Sequence, residues 1–184
     1  MKKELSLTAI AVFAAALTMI GFANDAEAAA YLKFDGVDGE ATDANHDKWI
    51  DLLSFQQTIS RESSAASGAT RARGAAVFGD IVLTKQLDKS TPKLQEAIAS
   101  GKVYPSVEFE LAANYGGSRA TYLKYELTNV MITSYSISGS ADGVPTEQLS
   151  LNFEEIKVTY TEFDSSGSKK GNVETTWKVE EGTK

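Results

Sequence analysis

Leu149-Ser150-Leu151-Asn152-Phe153-Glu154-Glu155-Ile156-Lys157-Val158-Thr159-Tyr160 alternates between apolar and polar residues, but its parity changes midway. Leu149, Leu151 and Phe153 share one face of an extended chain, whereas Ile156, Val158 and Tyr160 take the opposite parity. One extra residue near Glu154-Glu155, as a β-bulge supplies, restores a single inward face. The run 121–137 switches in the same way near Asn129, between Leu123/Tyr125/Leu127 and Val130/Ile132. Paired irregularities on long strands bend a sheet, as a closed or nearly closed barrel requires.

Shorter one-sided strands surround these two. Val107, Phe109 and Leu111 oppose Glu108 and Glu110, and Val173, Trp177 and Val179 oppose Glu174, Lys178 and Glu180. Val77, Ile81, Leu83 and Leu87 form another, and Tyr31–Phe34 and Trp49–Gln57 complete the set. Each reads as a strand with one face in a core and one in water or at an interface. The segment 91–101 predicts the one helix: Thr91 suits the cap, Pro92 the first turn and Gly101 the left-handed exit. Leu94, Ala97 and Ile98 give it a narrow apolar stripe for packing on the barrel wall. Between Arg61 and Ala76 the chain is polar, small and aperiodic, which predicts a mobile loop or hairpin extension. Tyr115-Gly116-Gly117 and Ser165-Ser166-Gly167 read as turns. No internal repeat or second domain is visible.

The chain has 184 residues, with 18 basic and 25 acidic side chains, one His and no Cys. A formal net charge of −7 argues against a nucleic-acid partner, which needs a basic footprint. Without Cys there is no disulfide, thiolate nucleophile or zinc ribbon. Residues 1–30 read as a signal peptide: Lys2-Lys3 precede the uncharged run Leu5–Ala23, and Ala26-Glu27-Ala28 and Ala28-Ala29-Ala30 offer cleavage after Ala28 or Ala30. A membrane anchor is the competing reading, but the run is diluted by Ser6, Thr8, Thr18 and Gly21, and no basic stop-transfer cluster follows. Removing 1–30 takes away two Lys and three acidic residues and leaves a domain, 31–184, with 16 basic and 22 acidic groups.

Asp43, Asn45 and Asp47 have the 1, 3, 5 spacing of a calcium loop, but Lys48 stands where Gly is needed and Ser54 where Glu is needed. His46 is the one imidazole available to a serine triad; no G-x-S-x-G elbow accompanies it, and it reads as a turn-holding hydrogen-bonding residue. Glu154 and Glu155, adjacent on a strand, point to opposite faces and cannot form a glycosidase pair. Gly36 and Gly39 lack the lysine and helix of a phosphate loop. No catalytic, cofactor or metal site is therefore expected. Arg61, Arg71 and Arg73 concentrate positive charge in one loop of an acidic protein; they read either as a solvated loop or as an arm contacting an acidic face of a second copy.

Several stretches together resemble the haemolysin-coregulated protein (Hcp) family, the tube proteins of bacterial type VI secretion systems. They are Tyr31–Glu40, His46 with Ile50-Asp51-Leu52-Leu53-Ser54-Phe55, Leu83–Pro92 running into the helix and Gly101-Lys102, Pro145-Thr146-Glu147 with Ser150–Phe153, and Trp177. The resemblance covers about residues 31–180. It implies a mainly β fold, a compact barrel of two sheets with one α-helix at its side. It also implies hexameric rings that stack into a tube and carry effectors out of the cell, with sheath and spike proteins as further partners and no enzyme activity. The loop at 61–76 would then help rings stack, so Arg61, Arg71 and Arg73 become assembly contacts. The signal departs from the family pattern, since tube proteins assemble in the cytoplasm. Three readings accommodate it: a separately exported effector or binding module that forms no tubes, a true start at Met19 that leaves a cytoplasmic protein, or an apolar extension fused to a tube subunit. Lys2-Lys3, the apolar run and the Ala sites together favour export to the periplasm or the medium.

Overall fold

Asn129 is one of two non-glycine residues with a positive φ (50°) among the described residues, and the chain turns its corner there. A computed structural model of the protein describes residues 28–63 and 73–179. The strands are β1 (Ala29–Phe34), β2 (Ile50–Leu52), β3 (Ser54–Gln56), β4 (Ile59–Ser63), β5 (Arg73–Phe78) and β6 (Ile81–Gln86). Helix α1 (Thr91–Ser100) follows, then β7 (Val103–Tyr115), β8 (Ser118–Ser138), β9 (Thr146–Asn152), β10 (Glu155–Phe163) and β11 (Lys169–Lys178). The residues of the signal-peptide reading before Ala28 lie outside the described residues.

Strand β8 organises the molecule. Its first half pairs β7 on one side and β10 on the other, and its second half pairs β9. One layer therefore runs β2-β1-β7-β8-β10-β11 and the other β8-β9-β6-β3. The barrel is not closed: β2 and β3 stand at the two ends of the strand order. They are nonetheless consecutive in the chain, separated by Leu53 alone, whose N–H donates to Thr84 O (2.8 Å). Strands β4 and β5 form a separate two-stranded hairpin, the extension expected at 61–76.

Both parity switches mark real corners. At the corner β9 and β10 share one register along β8, with Met131 opposite Asn152 and Thr128 opposite Glu155, and the register with β9 shifts beyond it, between Ile132 and Ser134. Between β9 and β10 the expected bulge is a full break at Phe153-Glu154, where Glu154 N–H donates to Thr128 O (3.0 Å) and Val179 N–H to Glu154 O (2.7 Å). Asn129, in the left-handed conformation an Asn tolerates well, donates from Nδ2 to Glu154 Oε2 (2.5 Å). The two strands thus bend together, and Leu149, Leu151, Phe153 and Ile156 all enter the core.

Three local expectations are corrected. Val77 lies on β5, across a break at Gly79-Asp80 from Ile81 and Leu83, and is 58% exposed. Val173 shares the core-side face of β11 with Trp177 but is 74% exposed, because the sheet extends past the core. The helix N-cap is Ser90 rather than Thr91, and no side chain caps it. Thr91 is instead drawn inward, its Oγ1 accepting the Asp88 N–H and donating to Glu147. Gly101 (φ 65°) closes the helix as expected, and Leu94 and Ala97 are buried.

Candidate functional site

Among the described residues the candidate sites are surfaces and two buried polar clusters. The first cluster centres on His46, which is 1% exposed. Its Nδ1 faces Asp43 Oδ1 (2.6 Å) and its Nε2 faces Glu110 Oε2 (2.9 Å). The ring stacks on Tyr31 (centroids 4.1 Å) and meets Trp49 edge-on (5.0 Å). His46 therefore holds its own turn, as expected, and also ties the 35–49 segment to β7, a partner 64 residues away. Burial opposes the charged form of Asp43, but hydrogen bonds from His46 and the Asn45 N–H outweigh it and hold the carboxyl below its usual range. Asp43 is thus engaged with the imidazole, and among the described residues no group of three or more His, Asp or Glu side chains is placed to hold a metal ion.

The second cluster was not legible as a site. Ile81, Leu83 and Lys85 share one parity of β6, and all three are fully buried. Lys85 Nζ pairs with Glu147 Oε1 on β9, with Asp88 Oδ1 (2.8 Å) and with Gln86 O (2.8 Å). Glu147 also accepts from Thr91 Oγ1 (3.0 Å) and Tyr135 Oη (2.5 Å). Burial, followed by the Glu147 bond, pushes the Tyr135 hydroxyl up to about 12. The cluster locks the start of α1 to β6, β8 and β9, a structural role that satisfies every charge it buries. The alternation Ile81-x-Leu83-x-Lys85 was the one available signal for it.

The arginine arm is split. Arg61 is exposed on β4 opposite Ala76, and Arg73 opens β5 opposite Ser63. Arg71 lies outside the described residues. Arg61 lines a groove of about 280 Å³ with Ile59, Ser60, Ala76, Phe78 and Trp177. Phe78 stacks on Trp177 (5.9 Å), whose Nε1 is buried without an acceptor.

The six-stranded layer has two unlike faces. Outward, Lys124 reaches Glu108 (2.6 Å), and Lys157 bridges Glu126 (3.7 Å) and Glu174 (3.4 Å), giving a solvated charge ladder. Inward, the row Leu52–Ala30–Leu111–Leu123–Tyr160–Val173 is paired strand by strand. Its exposure rises from 9% at Leu52 to 48% at Tyr160 and 74% at Val173. The core-side face thus runs out beyond the core as an apolar shelf, and β11, paired with β10 only, is its free edge.

Comparison with known proteins places these surfaces in context. Residues 31–160 match the model of a family described as "Type VI secretion system effector, Hcp". Protein hcp1 of Pseudomonas aeruginosa is 31% identical over 142 residues, 77% of this chain and 88% of that protein. A solved structure of a type six secretion system protein superposes with a TM-score of 0.78 at 28% identity, covering 84% of this chain and 98% of that one. Hcp1 from Salmonella typhimurium follows with a TM-score of 0.69 at 26% identity, covering 85% and 97%.

Proposed function

The chain belongs to the Hcp family of type VI secretion proteins, and from that premise we propose that it is a structural ring and tube subunit. Proteins of this family are secreted structural components of type VI secretion systems. In this reading six copies close a ring, rings stack, and the hollow stack carries effectors in contact with sheath and spike. The observation that carries it is the family match across residues 31–160, nearly the whole described domain. The arm with Arg61, Arg71 and Arg73 would contact the next ring. No reaction is assigned: His46 is buried with both ring nitrogens facing carboxylates, which supports a structural role.

The export signal at 1–30 belongs to the same proposal. β1 begins at Ala29, and Ala30 pairs with both Leu52 and Leu111. Cleavage after Ala28 keeps these rungs, whereas cleavage after Ala30 removes them and leaves a charged ammonium on Tyr31, which is 3% exposed. The signal favours one second reading, a separately exported Hcp-like effector or binding module that forms no tubes. Light scattering on the processed protein, with its N-terminus read by mass spectrometry, separates the two. A ring-sized particle starting at Ala29 is expected; a monomer across the micromolar range sinks the tube reading.

A further inference from the structure

Leu53, 58% exposed, sits at the outer corner of the run 50–56, at the end of the six-stranded layer opposite β11. It lies beside a small depression lined with Glu40, Asp51 and Asp88. Asp88 is paired with Lys85, whereas Asp51 and Glu40, which accepts the Lys89 N–H, both keep their charge at the corner. Burial, then the neighbouring Asp88 charge, pushes the Asp51 carboxyl above its usual range, against the opposing pull of the Arg119 charge. The shelf at the other end is the reverse case. Tyr160 and Val173 are bare, and the groove lined by Trp177, four residues further along β11, includes Arg61 and no acidic side chain.

We propose that the shelf of one copy receives the Leu53 corner of a second copy, with Leu53 against Tyr160 and Val173 and Asp51 facing Arg61. The occupant is argued from charge complementarity between two apolar patches of one chain, one rimmed by carboxylates and one by a guanidinium. The register supports it. Leu52, next to Leu53, is in the same cross-strand row as Val173, so the patches lie at one height and about 24 Å apart, five strand spacings. Different patches at opposite ends of a subunit make a heterologous contact, the kind that generates rings. The inference rests on the ring reading above and identifies its side-to-side surface. It also separates Arg61, which acts within the ring, from Arg71 and Arg73, left to ring stacking.

Two variants of the processed protein test it: a shelf variant (Val173→Lys with Arg61→Glu) and a corner variant (Leu53→Lys with Asp51→Arg). All four positions are exposed, and circular dichroism with thermal unfolding checks that both variants stay folded. In light scattering, each alone is expected to need at least tenfold more protein than the native chain to assemble. Mixed in equal amounts they should associate at lower concentration than either variant alone, because one intact shelf then meets one intact corner. Native rings with both variants assembling normally overturn the contact alone, and a monomeric native protein overturns the ring reading and the contact together. Folded variants whose mixture stays monomeric refute the pairing of these two patches. Intact shelf-variant rings that have lost a bound cargo protein overturn the proposal in favour of that occupant.

Discussion

Replacing Lys85 by Met puts the buried cluster to the sharpest test. The Met side chain fills most of the same volume, so the change removes a charge rather than opening a cavity. Lys85 Nζ makes three charge-assisted bonds, to Glu147, Asp88 and Gln86 O. Hydrogen bonds that involve a charged group contribute roughly 1.5–3 kcal/mol each. Thr91 and Tyr135 still hold Glu147 after the change, and Ser90 still holds Asp88, which softens the loss. Breaking a buried pair while one charge stays buried costs about 3–5 kcal/mol, and for a domain of this size that lowers Tm by about 6–20 °C. Urea and thermal unfolding at one fixed protein concentration read the effect. Adding Glu147→Gln to Lys85→Met should restore at least half of it, since the uncompensated anion is then gone. A single variant that loses under about 1 kcal/mol, or a double variant that is merely additive, refutes the claim that Glu147 depends on Lys85 for its charge.

Acid should loosen the His46 clasp. The folded Asp43 carboxyl lies below its usual range, so its contribution is complete above the unfolded value near 4 and is lost as pH falls through the folded one; Asp43→Asn should flatten the acid limb of a stability-against-pH curve. At the corner of β8, Asn129→Val should cost about 2 kcal/mol, since a β-branched residue resists φ 50°, while Asn129→Gly should cost under about 1 kcal/mol; equal losses in urea melts would show that the left-handed backbone carries no weight. Replacing Arg71 and Arg73 together by Ala, with Arg61 kept for the contact within the ring, should weaken ring stacking in electron micrographs, further so as salt screens what attraction remains. Stacks of unchanged length would remove the arm from assembly.

Periodicity was enough for most of the strands, the helix and both corners. Parity follows from the pleat, and a switch of parity has to be absorbed by a bend wherever both halves face one core, so Asn129 and Glu154 were readable from the chain. The stretch 83–92 and its companions also carried the family resemblance. Alternation says which side of a strand a residue takes; it does not say how far the core reaches. Val173 and Trp177 share a face of β11, yet only packing decided that Phe78 covers one and nothing in the described chain covers the other. The partners of Lys85 and His46 were hidden for a related reason. Glu147 is 62 residues from Lys85 and Glu110 is 64 from His46. Electrostatic pairing acts through space, and those distances in space are set by strand order, which only the folded sheet supplies.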